Sequence, residues 1–588
     1  MVVSTAQQAR DNYLLWQRFS FPNDTRAWDA VAVPSWVGDQ INTAYSMIIT
    51  LAFVNFWTIV ISIVLYPSLK RFKNDVSKLD PVAVTLWNKR GDLTGSILET
   101  ISFKKSDWTR LWVLVTLAFS VAAYVAQTVA GIIVPPLVIL NHAAPVNPQA
   151  IYVPDDTLME TQQQTARFSL EAPRFFRALG SAQADEDLRR QVNVSDAQTM
   201  GQTSDGQDIV RIDYGYQVTG TDLGLQKYFD LTLTVTGSCV TDYSWLLGPP
   251  TVVRFSNLLV AIDGYHPFLD PSKTVTRSLL DGYEPSATFL TGSNTTGALT
   301  GSNITWAAIV SSVNRTSFSQ SSDPWYLTEE HVTAGTETTF RVRPGRPALS
   351  CWQDDVWSYR GRNSSVTALT NEALPGLDLP EPLWGLIIRY LSTPMIFEVG
   401  RHLAKSALAS STMTLGSIID AASSSVQRDL ERLVIASYVA TTNIFTDTTL
   451  YPASSKDQLG NMAVDDSGTI PAGAGAFVIF SEEVATLSTV VLIVIPVIWA
   501  GTWLVSFVLL YWTPLRILTS LDSSALQSEL ADGDGDEPAH VNGDDEEAGH
   551  VGTRPPARVS ENIPESKTDT NTETKAEEKK ETGESIIA

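Results

Sequence analysis

Three predominantly apolar stretches of this chain carry no Asp, Glu, Lys or Arg over about 30 residues or more, and that distribution of charge constrains the fold more than any motif does. The first lies between Asp39 and Lys70, with a nearly unbroken apolar body at residues 43–66. The second lies between Arg110 and Asn141, apolar over 111–134 and followed by Pro135 and Pro136. The third lies between Glu483 and Arg516, apolar over 487–511. At about 1.5 Å per residue, each is long enough to cross a bilayer as a helix. The proline pair should end or bend the second helix near Val134, since each ring removes a backbone donor. Tyr66, Trp108, Trp112 and Trp512 stand at the ends of these runs, where amphipathic rings favour the headgroup layer. The runs exceed the apolar core of a signal peptide.

The flanks give an orientation. Residues 67–110 hold nine basic and five acidic groups, including Lys70, Arg71, Lys73, Lys89, Arg90, Lys104 and Lys105, so this loop reads as cytosolic. The 20 residues after Leu140 and the 20 before Leu487 contain no Lys or Arg. Three crossings then place residues 1–42 and 141–483 on the exoplasmic side and the tail, 513–588, in the cytosol. The tail carries 18 acidic and 7 basic groups and reads as disordered. The juxtamembrane lysines and arginines would also attract anionic lipid heads, by about 1 kcal/mol each.

Two further signals agree with that orientation. Asn-x-Ser/Thr sequons occur at Asn23, Asn193, Asn294, Asn303, Asn314 and Asn363, all on the expected exoplasmic parts. The chain has two cysteines, Cys239 and Cys351, both in the large loop. A pair confined to an oxidising compartment reads as a disulfide, worth about 4 kcal/mol in the chain-entropy account.

Within 141–483, residues 165–191 read as helical. Ile212, Tyr214, Tyr216 and Val218 alternate with polar residues, and so do Phe229, Leu231, Leu233 and Val235; the two runs predict an antiparallel pair. Residues 252–262 and 338–342 are further strand candidates, with each cysteine expected just beyond a strand. A β-rich region at about 205–360 and a helical one at about 380–450 follow. Residues 286–322, rich in Ser, Thr, Asn and Gly and holding three sequons, read as a solvated loop. Val426, Leu430, Leu433 and Val434 recur at helical spacing opposite Arg428, Asp429 and Arg432. Arg389, Glu398, Arg401 and Lys405 argue against a fourth span over 383–408, since a central charge costs about 3 kcal/mol on insertion. The expected fold is thus a multi-pass α-helical membrane protein with three transmembrane helices, a mixed α/β (α+β) exoplasmic domain and a disordered acidic tail.

Chemistry is sparser. No HExxH, Gly-x-Ser-x-Gly, P-loop or CxxC pattern is present, so no catalytic, cofactor or metal residue is assigned. Asp532, Asp534 and Asp536 open like a calcium loop, but Glu537 and Gly543 stand where Gly and Glu are required. Asp263, His266 and Asp270 offer a base or ligands, with an ordinary turn as the simpler reading. Cys351, Trp352, Asp354, Asp355 and Trp357 form the densest cluster; its tryptophans can stack on sugar rings or pack in the core. Asn55 and Gln127, inside the apolar runs, read as interhelical hydrogen-bonding groups. A net charge of −23 with no basic domain disfavours nucleic acid.

This layout, with Cys351, Trp352 and Trp357 after the Pro-rich run Arg343–Pro347, resembles uncharacterised multi-pass membrane proteins of filamentous fungi with a large extracellular domain. The resemblance implies location and no defined activity. The leading expectation is a non-enzymatic plasma-membrane glycoprotein that binds an extracellular glycan or protein and recruits cytosolic proteins through its tail. A membrane-anchored hydrolase using Asp263 or Asp354 is the alternative, and a transporter or channel subunit using Asn55 or Gln127 the third.

Overall fold

The computed structural model describes residues 12–512 apart from 24–25, 72–86, 103–110, 155–160, 185, 250, 256–257, 279–284, 293–303, 313–314, 333–337, 366–379, 416–417, 452–458 and 466. The acidic tail and Asn294, Asn303 and Asn314 lie outside the described residues. Three helices are long and apolar enough to cross a membrane: Ser35–Arg71, Leu111–Val138 and Thr489–Trp512. The first packs against both of the others. Their outward faces leave Leu51, Phe56, Val125, Ile132, Val497 and Leu504 without protein cover, an area of apolar surface that lipid would have to bury.

The second helix does not stop at the proline pair but runs on to Val138. The prolines forfeit backbone donors, yet Val138 is buried against Val33, Ala485 and Leu487, and that packing holds the last turn. Residues 93–102, between the first two spans, form a helix that turns Ser96 and Thr100 inward and leaves Leu98 and Ile101 exposed. Trp57 Nε1 donates to Ser96 Oγ at 3.2 Å, so the polar face of this short helix is used up on the bundle.

All three long helices meet one small sheet. Its strands, in order, are Arg18–Phe21, Trp28–Pro34, Val484–Ser488 and Ile139–Asn141, every neighbouring pair antiparallel. Trp28–Pro34 continues directly into the first helix, Val484–Ser488 into the third, and the second helix ends where Ile139–Asn141 begins. No linker separates sheet from helix. Gly38 is required by this junction: a Cβ there would come within 2.5 Å of the Ala485 methyl. The near ends of the three helices are therefore held at one level by backbone hydrogen bonds.

Beyond this collar stands the α/β body. An eight-stranded antiparallel sheet runs in the order Ser286–Thr291, Ile304–Ser311, Ala348–Tyr359, Thr232–Asp242, Asp208–Thr219 and Val192–Val194, with Arg362–Ser365 and Gln198–Gln202 added alongside. The alternating runs pair as expected, Ile212 opposite Cys239 and Val218 opposite Leu233. The described part of the expected loop at 286–322 supplies two strands of this sheet, because Ile304–Ser311 hides a buried Trp-Ala-Ala-Ile-Val run inside Ser/Thr-rich sequence. The 252–262 candidate is a hairpin, Thr251–Phe255 with Leu258–Tyr265, and Thr338–Val342 is a strand. Four helices cover one face of the large sheet: Thr161–Ala184, Glu381–Leu391, Met395–Leu403 and Val426–Thr442. Leu383, Ile387, Ile396 and Val399 are core residues of this layer, so 383–408 packs within the body and makes no fourth span.

The Val426–Thr442 helix starts where two acceptors meet its first turn. Ser425 Oγ accepts from Arg428 N, and Asp323 Oδ2 accepts from Val426 N at 3.0 Å. Asp429, expected on its solvent face with Arg428, is instead fully buried and accepts from Tyr326 Oη at 2.6 Å and Ser410 N at 2.8 Å. Those partners come from more than 15 residues away, which helical spacing cannot reveal.

Candidate binding face of the central sheet

Strand parity sorts the densest sequence cluster into two sets. Along Ala348–Tyr359, Cys351, Gln353, Asp355, Trp357 and Tyr359 face the helices, while Ser350, Trp352 and Asp354 face away. Cys351 lies directly opposite Cys239 in the neighbouring strand, and the two are disulfide-bonded. Both sit within strands rather than just beyond them, so the bond pins the register of the most extensively paired strands of the sheet.

On the helix side four polar side chains form one chain of hydrogen bonds. Trp306 Nε1 donates to Tyr214 Oη at 2.9 Å, Tyr214 Oη donates to Gln353 Oε1 at 2.8 Å, and Gln353 Nε2 donates to Asp355 Oδ1 at 2.8 Å. The Tyr214 ring lies flat against Gly237, where any side chain would strike it. Burial pushes the Asp355 carboxyl up to about 7, against the pull of the Gln353 hydrogen bond. This is a structural network without access to a ligand.

The other side is covered in part, where Ala307, Ile309 and Ala348 are buried with Trp245 and Tyr265, and it turns polar toward Trp352. Trp352 is 38% exposed and sits opposite Ser238 on one neighbour and Thr305 on the other. Arg211 Nε donates to Ser238 Oγ at 3.1 Å and to Asp213 Oδ1 at 2.9 Å, one strand further out. The Ser238 hydroxyl and Arg211 hold the Asp213 carboxyl below its ordinary range against a small cost of burial. Thr234, Thr236 and Gln217 continue the same face. The result is a flat platform with one indole beside Asp354 and within two strands of a fixed Arg211–Asp213 pair. An aromatic face flanked by carboxylates and hydroxyls can stack on a sugar's C–H face and hold its hydroxyls.

The remaining sequence candidates separate from this face. Asp263 is buried, and both its oxygens accept from Gly345 N at 2.9 Å, a clamp on the turn that leads into the disulfide strand. His266 Nδ1 contacts the Lys273 carbonyl at 2.9 Å and Asp270 Oδ1 accepts from Ser272, so these two belong to a local turn. Asp263, His266 and Asp270 are therefore not brought together as a reactive set. No group of three metal-ligating side chains occurs among the described residues. Asn193 and Asn363 are exposed on strands of the large sheet, and Asn23 is partly buried beside the collar. Asn55 and Gln127 are half-buried, and the most enclosed polar side chains of the helical bundle are Ser62, Ser96, Thr100, Thr116 and Ser120. Sequence reading passed over those five because single hydroxyls are common in apolar helices, where they bond to the preceding turn.

No curated protein and no solved structure matches the chain. A domain of unknown function, DUF8406, matches residues 172–479. The match takes in the central sheet, most of the helix layer, the disulfide and Trp352, and leaves out the three apolar helices and nearly all of the collar. It covers more than half of the chain, which therefore belongs to the DUF8406 family.

Proposed function

We propose that the protein is a plasma-membrane-anchored surface protein whose large domain lies on the exoplasmic side and binds an extended glycan across the outer face of its central sheet. The observation that carries the reading is Trp352, a partly exposed indole in the polar part of the outer sheet face beside Asp354 and the Arg211–Asp213 pair. Sugar rings would stack on the indole while the carboxylates accept from ring hydroxyls. The Lys/Arg-rich loop between the first two spans supports a cytosolic position for that loop, and with it an exoplasmic body. Glycans at Asn193 and Asn363 would shield strands that otherwise invite edge pairing. The layout shared with large-domain membrane proteins of filamentous fungi fits a role at the cell surface, with the acidic tail left to engage cytosolic proteins.

The test uses the full chain in nanodiscs, sedimented with insoluble β-glucan, chitin and mannan and titrated with their soluble oligomers. Saturable binding to one of these that Trp352→Ala abolishes, with the thermal melt preserved, is the expected result. Absence of binding by the wild type, or equal binding by Trp352→Ala, overturns the reading. Release of reducing ends that Asp354→Asn abolishes would instead identify a hydrolase.

A further inference from the structure

The described strands of the central sheet carry two Asn-x-Ser/Thr sequons, at Asn193 and Asn363, and strand register puts both on the same face as Trp352. Residues directly opposite each other in a sheet share a face, and so do residues two apart on one strand. Asn193, Gly215, Thr236 and Asp354 lie opposite one another in turn across four strands, and Asp354 is two positions from Trp352. Asn193 is exposed between Val192 and Val194, which pack against the core. Asn363, Ser358, Thr232 and Thr219 form a second such row, four positions further along the strands. Asn363 is exposed too, whereas its neighbour Ser364 lies opposite the buried Trp357 on the helix side.

These rows border the part of the face that holds the indole. The row through Trp352 runs Thr305, Trp352, Ser238, Asp213. Two positions to one side, Ala307 is opposite Ser350 and is buried with Trp245 and Tyr265. Two positions to the other side lies the row that begins at Asn193. At ordinary sheet spacings the space between them is about 14 Å along the strands and about 14 Å across, roughly 200 Å². A standard protein interface takes about 800 Å² from each partner. Sugar on Asn193 and Asn363 would therefore leave too little of the face for a folded partner, while a single polysaccharide strand could still cross the indole along its row.

We propose that Asn193 and Asn363 are N-glycosylated and that their glycans border the Trp352 face, closing it to folded proteins and leaving a slot for one slender glycan strand. This rests on the exoplasmic placement of the body and narrows the ligand of the face already described. In the transfer, the Asn side-chain nitrogen attacks the anomeric carbon of a lipid-linked glycosyl pyrophosphate. The C–N bond forms as the C–O bond to pyrophosphate breaks, the pyrophosphate leaves with the electron pair, and the nitrogen gives up one proton.

The experiment uses the full chain expressed in a eukaryotic host and held in nanodiscs. Glycopeptide mass spectrometry should find both Asn193 and Asn363 occupied. A reporter cysteine is then placed on the outer face by Thr236→Cys, and separately by Gln217→Cys, both at exposed positions; the two native cysteines are tied up in their disulfide. A small maleimide should label the reporter readily, and a maleimide on a polymer the size of a small protein should react roughly tenfold more slowly or worse, because the attached glycans are bulky. Adding Asn193→Gln and Asn363→Gln should restore most of the slow rate and leave the small reagent unaffected, a gain of access confined to one reagent that unfolding cannot produce. An unmodified Asn193 or Asn363, or a polymer rate unchanged by the double substitution at both reporters, overturns the proposal. Lack of modification at every sequon overturns it together with the exoplasmic placement. No polysaccharide enters these measurements, so they can fail while binding at Trp352 holds, and hold while it fails.

Discussion

The two faces of the Ala348–Tyr359 strand hold the same residue types in opposite roles. Trp357 is fully buried and Trp352 exposed; Asp355 is enclosed by Gln353 and the tyrosines of the neighbouring strand, while Asp354 borders the open face. The carboxylates are one position apart and the indoles five, an odd spacing in each case, which puts the members of each pair on opposite faces. Position on such a strand is assigned by parity: on the helix side a carboxylate or indole is enclosed between the layers, and on the outer side Trp352 keeps part of its ring in solvent.

The sharpest way to break that contrast is to remove the buried indole. Trp357→Ala should destabilise the full chain by about 4 kcal/mol, the range for large aromatic truncations in a core, read as a shift in the thermal or urea midpoint. A change under about 1 kcal/mol would mean the helix layer does not depend on this face. Removing the disulfide by Cys239→Ala with Cys351→Ala should cost somewhat less, about 3 kcal/mol, and should slow the non-reduced band to the mobility of the reduced one on a denaturing gel.

Protons sharpen the comparison next. Burial raises the carboxyls of Asp323 and Asp355 to about 7 and that of Asp429 to about 6. The folded state thus holds protons that the unfolded chain has released, between about pH 4 and pH 7. Their stabilising effect is fully present below the unfolded value and is lost as pH rises through 6 to 7. The domain should melt at a higher temperature at pH 5 than at pH 8, the reverse of the trend set by a salt-bridged carboxylate. Asp355→Asn should remove part of that slope and stabilise the protein at pH 8 by ~2 kcal/mol. Asp354→Asn, one residue away on the open face, should leave the slope intact.

Sequence carried the three long apolar helices and the paired strands because both are local patterns: a charge-free run, and a period of two. It carried the disulfide because only two cysteines exist. It did not carry the collar, whose strands are three to seven residues long and come from regions as far apart as Trp28 and Ser488. Nor did it carry the surroundings of the buried Glu171, whose partners Arg167 and His402 are more than 200 positions apart. Asp429 shows the same limit on one helix, since its burial depends on Tyr326 and Ser410. Ile304–Ser311 is a milder failure: its apolar run was visible but was outweighed by the Ser/Thr-rich composition around it.

The smallest expected effect on stability is the one that matters most for function. Trp352 already gives up 38% of its surface to solvent, and its neighbours across the strands are Ser238 and Thr305 rather than other apolar groups. Truncation to alanine leaves no enclosed cavity, so the cost should stay below about 1 kcal/mol. An apolar residue kept exposed at so little structural gain is what a contact surface requires, and a large aromatic is the costliest kind to leave in water. Comparing Trp352→Ala with Trp357→Ala in one denaturation series tests this directly. Near-wild-type stability for the first beside a large loss for the second assigns Trp352 to ligand contact. Equal losses would place both indoles in the core and leave the outer face without its anchor.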